Sequence, residues 1–396
     1  MDRRAFLTSV AALCALGTSS LVTRKGHAVA SKNCKEYQVG VYYFPNWHND
    51  PSSPRAAGEL AGEWPGVQAA RPRFPGHRQP LVPAWGYLDE ADPKVMEKKI
   101  DAAADHGVDY WIFDWYWLDN GPFLRRCIEG GFLRARNNRR VKFCCMWANH
   151  DMGRGRGAVT PETFHAMTTW MIENLFKHPS HFLVEGRPYF SVFNLQRLID
   201  SFGSLQGTRA ALDDFRARIK AAGLPGLHLN VILNMTYRNP GDAAPTDTTR
   251  VLDILGCDSI ADYHWLQQIT MPEFPETEYR YVRDHYLDYW ETVEKKYRVP
   301  YFPNVTVGWD STPRTDASVE YRPGDYPYMA VLRNNTPEAF KEALEIVKRR
   351  LDQRRAPKIL NIYAWNEWTE GGYLEPDTVH GMAYLEAIKA VFGANP

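Results

Sequence analysis

The chain has 396 residues, 44% apolar and 24% charged, and no formal net charge at pH 7. That is an ordinary globular composition, long enough for one large barrel or two smaller domains. It gives no electrostatic reason for a nucleic-acid or anionic-membrane partner. The aromatic content is unusual, with 13 Trp and 21 Tyr.

Residues 1–30 read as an export signal that precedes a single domain over 31–396. Arg3-Arg4 stand before Ala5-Phe6-Leu7, an apolar run follows through Leu21-Val22, and Ala28-Val29-Ala30 offers a small-residue cleavage site. The paired arginines match the bacterial twin-arginine pattern, although Asp2 departs from it and an ordinary secretory signal is the alternative. A periplasmic or secreted location follows, with no membrane anchor in the mature chain. Five Cys then remain, at 34, 127, 144, 145 and 257, an odd count without the spacing of a disulfide framework or a zinc site.

Downstream, short apolar runs alternate with helical patterns. Eight strands are predicted at 38–44, 109–115, 141–147, 188–193, 228–234, 258–263, 301–307 and 358–365. Three helices announce their starts by a capping side chain before proline, at Asp92-Pro93, Thr160-Pro161 and Thr336-Pro337. Gly107, Gly223 and Gly256 stand where left-handed helix caps are expected. Eight strand–helix units predict an α/β chain closed as a (β/α)8 barrel, with a doubly wound open sheet as the competing topology. The long connections, near 48–91, 148–159, 235–246, 264–277 and 308–335, all follow strands. In a barrel they gather at the carboxyl face, where active sites are built.

The eighth strand runs into Ala364-Trp365-Asn366-Glu367-Trp368-Thr369-Glu370-Gly371. A helical turn there puts Glu367 and Glu370 on one side, as an acid–base pair for glycosidic cleavage. Two Glu three apart are commonplace on surface loops; the position at the end of the last strand, among aromatics, is what favours chemistry. Other strand ends offer rings to stack on sugars and polar groups for hydroxyls. The candidates are Tyr43, Trp47 and His48 after the first strand; Asp114, Trp115 and Trp117 on the second; Trp147 and Asn149 after the third. Asn194, Asn234, His264 and Trp309 follow the next four, and Trp365, Asn366 and Tyr373 surround the Glu pair. Glu375 is expected to orient that loop. No metal or other cofactor is implied, because His-Glu-x-x-His, paired-Cys and phosphate-loop patterns are all missing.

Asn-Glu-Trp-x-Glu-Gly followed closely by Glu375-Pro376 resembles glycoside hydrolase family 99 and the broader family-99-like, or WbsX-like, group. Gly40–Trp47, Asp109–Trp117 and Phe143–Asn149 resemble that group too. The resemblance implies a barrel that cleaves α-linked, mannoside-like glycans with retention. It also implies that Glu367 deprotonates the sugar's own 2-hydroxyl to form a 1,2-anhydro sugar, while Glu370 protonates the leaving oxygen. A glycosyltransferase and a non-catalytic polysaccharide-binding barrel are the alternatives.

Overall fold

The computed structural model describes residues 36–49, 62–118, 121–149, 159–233 and 236–393. The expected export segment, Cys34 and Asn234 lie outside them. All eight strands form: Gln38–Tyr43, Tyr110–Leu118, Lys142–Trp147, Arg187–Val192, His228–Ile232, Ser259–Ala261, Tyr301–Thr306 as two pieces, and Ile359–Tyr363. They pair in parallel in chain order, and the first pairs with the eighth.

Closure passes through the broken seventh strand. Tyr301–Phe302 pairs with the sixth strand, and Asn304–Thr306 pairs with the eighth. Pro303 between them has no N–H to give to a ladder. Its carbonyl accepts instead from the Asn361 amide at 2.9 Å. The chain is therefore a closed (β/α)8 barrel.

The three predicted proline starts are real caps. Asp92, Thr160 and Thr336 each accept a hydrogen bond from a backbone N–H in the first turn of their helix. The second crossover departs from the ordinary pattern. Among its described residues it has a short strand, Gly121–Phe123, a π turn, Cys127–Gly131, and a 3-10 turn, Phe132–Arg134. The chain passes close to its neighbour there: a Cβ on Gly131 would stand 2.2 Å from the Glu90 carbonyl oxygen.

Along each strand, side chains alternate between the barrel interior and the helix layer. Tyr42, Tyr110 and Asn361 face inward, with the Tyr110 hydroxyl donating to Asn361 at 2.8 Å. Trp111, Phe113 and Phe132 pack together in the outer layer. Cys127, Cys144, Cys145 and Cys257 are buried free thiols. Among the described residues, no helix is long and apolar enough to cross a membrane.

One buried charge cluster fixes the loop that follows the eighth strand. The Lys99 ammonium lies 2.6 Å from Glu375 and 3.9 Å from Glu90, and all three side chains are at most 5% exposed. Glu375 also accepts the indole N–H groups of Trp365 and Trp368, at 3.0 and 2.8 Å. Burial opposes the charge of Lys99, but the two carboxylates outweigh it and raise its pKa. Lys99→Met would leave both carboxylates buried without their cation. Urea unfolding should then show a loss of about 3–5 kcal/mol, the usual cost of breaking a buried ion pair from one side.

Candidate active site

The carboxyl mouth of the barrel opens into a cavity of about 640 Å³. Its floor and one side are built from ionisable groups. Glu367 and Glu370 come from the turn after the eighth strand, and Gly371 at φ +69° ends that turn. A Cβ on Gly371 would stand 2.6 Å from the Asp310 nitrogen. Bare glycine thus allows Asp310 to donate its N–H to the Glu370 carbonyl, at 2.6 Å.

Arg314 ties the carboxylates together. It donates to Glu370 through Nη1, to Glu367 at 3.3 Å and to Glu63 at 2.9 Å. Its guanidinium also lies 5.5 Å over the Phe44 ring. Burial works against its charge, yet Glu63, Glu370 and Glu367 together raise its pKa well above the usual arginine value. The turn that carries it, Thr312–Arg314, is pinned by Asp310, which accepts from the Thr312 N–H at 3.0 Å and the Thr312 hydroxyl at 2.6 Å. His77 and Gln79 approach the other Asp310 oxygen at 2.9 and 2.6 Å. Burial alone would raise the Asp310 pKa; these donors bring it below the ordinary value.

The two motif carboxyls sit in different surroundings. Glu370 accepts from Arg314, from the Tyr363 hydroxyl and from the Tyr326 hydroxyl, the last at 2.9 Å. Glu367 has the weaker Arg314 contact and a Tyr263 hydroxyl at 3.2 Å. Burial, with Glu370 close by, pushes the Glu367 pKa well above the carboxylate range, against the opposing pull of Arg314. Asp114 is pushed well up by burial too, although Tyr263 donates to it at 2.7 Å. The Tyr263 hydroxyl has one proton for two carboxyls. A neutral carboxyl on either side completes that hydrogen-bonded chain.

Three polar atoms of cavity-lining residues, Asp114 Oδ1, His264 Nδ1 and Trp309 Nε1, are buried and have no hydrogen-bond partner among the described residues. Burial lowers the His264 pKa to about 4, so the ring is neutral at pH 7. It packs on Trp309, with centroids 4.6 Å apart.

Of the residues expected at the site, Glu367, Glu370, Asp114, His264 and Trp309 line the cavity. The other described candidates line other parts of the fold, and strand alternation explains several of them. Tyr43 points into the helix layer, where its hydroxyl meets Lys99 at 3.0 Å. Trp115 and Trp117 turn outward onto Trp170, and Trp147 packs on Phe164. Trp47 is fully buried against Trp64, and His48 lies 3.2 Å from Glu90. Trp365 is committed to Glu375.

Asn149 and Asn366 act as splints. Asn149 exchanges two hydrogen bonds with the Asn194 backbone, and Asn366 does the same with Phe44. The Asn194 side chain caps the helix Leu195–Ser201. Tyr373 stacks on Trp368, with centroids 3.9 Å apart, and donates to Asp377. The sequence reading missed Glu63, Arg314, Tyr263 and Tyr326. Alternation from Asp114 would have pointed to Tyr116, which lines the cavity, but no local pattern marks Arg314 or Glu63.

The chain is a closed parallel barrel with carboxylates grouped at its carboxyl mouth. A family model described as Glycosyltransferase WbsX matches residues 39–388, and the chain belongs to that family. Among solved structures, the family 99 endo-α-mannosidase from Bacteroides thetaiotaomicron, in complex with bis-tris-propane, is 14% identical with a TM-score of 0.57. That match covers 90% of this chain and 96% of the other. A glycoside hydrolase-like protein matches at 13% identity and a TM-score of 0.58, covering 92% and 96%. A β-glucosidase from Thermotoga maritima in complex with castanospermine matches at 10% identity and 0.51, covering 92% and 99%. At these identities the likeness is one of fold. Uncharacterized protein WxcX of Xanthomonas campestris pv. campestris strain B100 is 24% identical over 381 residues, 90% of this chain and 50% of its own length. The chain thus spans about half the length of the curated relatives it matches.

The site's electrostatics predict a stability effect with a definite sign. An Asp whose folded pKa is raised favours folding in acid, and that contribution is lost as pH rises through the folded value. Asp114→Asn has no such loss. Its melting temperature should exceed that of the parent by a margin that widens from pH 4 to pH 8, and a margin independent of pH would overturn the Asp114 assignment.

Proposed function

We propose that this protein is a retaining glycoside hydrolase acting on α-linked, mannoside-like glycans, with Glu367 and Glu370 as its acid–base pair. The observation that carries this reading is the pairing of both motif carboxyls with Arg314 on the wall of the cavity at the barrel's carboxyl mouth. The fold shared with a family 99 endo-α-mannosidase supports it.

In the chemistry the resemblance implies, Glu367 takes the proton of the sugar 2-hydroxyl. That oxygen displaces the leaving group at the anomeric carbon, and Glu370 gives the leaving oxygen its proton. Water then opens the 1,2-anhydro ring, losing its proton to Glu370 while Glu367 returns one to the 2-oxygen. A raised pKa makes Glu367 a stronger base toward a hydroxyl once it is ionised. Substrate must first draw its proton away and loosen Arg314 from Glu370.

One observation favours a second reading with the roles exchanged. In the substrate-free site it is Glu367 whose proton is favoured, whereas three donors converge on Glu370. Aryl α-glycosides separate the two readings. Glu367→Gln and Glu370→Gln should each cut release of new reducing ends from a polysaccharide by about 10²–10⁴-fold, the usual worth of a general acid or base. On an aryl glycoside with a good leaving group, only the variant lacking the acid recovers. Full activity in both variants would sink the glycosidase reading. Turnover of a nucleotide sugar would instead support the transferase that the family description names, and binding without products a polysaccharide-binding barrel.

The aromatic-rich domain is proposed to act outside the cytoplasm, carried there by residues 1–30. Arg3→Lys together with Arg4→Lys should retain the protein in the cytoplasmic fraction; unchanged export would rule out the twin-arginine route.

A further inference from the structure

The cavity is chemically two-sided. Its charged side comes from the seventh and eighth strand ends and the loop after the first, through Arg314, Glu367, Glu370 and Glu63. The other wall, built from the second, third and fourth strands and the loops after them, carries Phe123, Leu124, Met146, Ala148 and Phe193, with Tyr116 at its border, packed on Phe123. Among the described residues, none of these five side chains has a nitrogen or oxygen to offer. Asp114 and Tyr263 mark the seam, and the three unpartnered polar atoms belong to Asp114, His264 and Trp309 rather than to this wall.

Sugar stacking does not explain the wall. Stacking needs flat rings, and Leu124, Met146 and Ala148 have none. Leu124 is also held at φ +51°, a left-handed backbone that costs a bulky residue free energy and that glycine would adopt freely. Such strain clusters at ligand sites, where the surrounding structure maintains it. Here it holds an aliphatic side chain against the cavity.

Building on the glycosidase reading, we infer that the sugar cleaved here turns a methyl-bearing substituent, in place of a hydroxymethyl group, toward Leu124, Met146 and Phe193. The shared chemistry is an apolar methyl on the ring: a 6-deoxy position or an acyl group. A hydroxymethyl group against this wall would lose its water without gaining a partner. A methyl group would be buried at a gain.

Matched aryl α-glycosides that differ only in bearing a 6-hydroxyl, a 6-deoxy carbon or a 6-O-acetyl group test this. Binding of the matching methyl glycosides is followed by calorimetry, so that recognition is read apart from turnover. The 6-deoxy or the acetylated compound should exceed the 6-hydroxyl compound about ten- to a hundredfold in kcat/KM and in affinity, the range one apolar contact commands. Which of the two does so identifies the source of the methyl. Met146→Gln should bring the ratio toward one; if that variant does not fold, the ratio in the parent protein still decides. Equal handling, or preference for the 6-hydroxyl compound, overturns the inference and leaves the glycosidase reading intact. Cleavage and binding of none of them overturns both.

Discussion

The rest of the site depends on one buried ion pair, Lys99 with Glu375. An ammonium and a carboxylate brought out of water are tolerable only when each is fully engaged. Here Glu375 uses its remaining capacity on two indole N–H groups, from Trp365 and Trp368. Those two rings bracket Glu367 in sequence, so holding them holds the carboxyl between them. The Asn366 side chain adds a second tie by pairing with the Phe44 backbone. A short turn that would otherwise be a mobile surface loop becomes part of the barrel core.

On that rigid base the chemistry is arranged by competition for few protons and one cation. Four carboxyls, Glu63, Asp114, Glu367 and Glu370, face a space with a single guanidinium among the residues that line it. Arg314 is shared unequally, and the carboxyls it holds least are the ones that burial pushes toward the neutral form. The two motif glutamates thus meet different partners: Arg314 with two tyrosine hydroxyls at Glu370, a longer Arg314 contact with Tyr263 at Glu367. The fold produces that difference by where it places Arg314, and Asp310 and His77 place Arg314.

The barrel itself was legible in the sequence. Strands covered on both faces read as apolar runs, and the proline caps at Asp92, Thr160 and Thr336 left local marks. The Glu pair was legible for a similar reason, because its turn directly follows the last strand. The walls of the site were harder. In Tyr110–Trp117 nearly every residue is aromatic or apolar, so the pattern does not reveal which face looks inward. Asp114 alone breaks the run, and stepping by two from it selects Tyr116 and rejects Trp115 and Trp117. Glu63 and Arg314 are 251 positions apart, and only the closed barrel brings their loops together.

The segment from Ala364 to Gly371 divides by use. Trp365, Asn366 and Trp368 brace the barrel, and only Glu367 and Glu370 face the cavity. Most of this signature therefore serves the architecture rather than the cavity. The cation shared by the two glutamates comes from outside the segment: Arg314, delivered by the loop after the seventh strand, reaches Glu370 and Glu367 together.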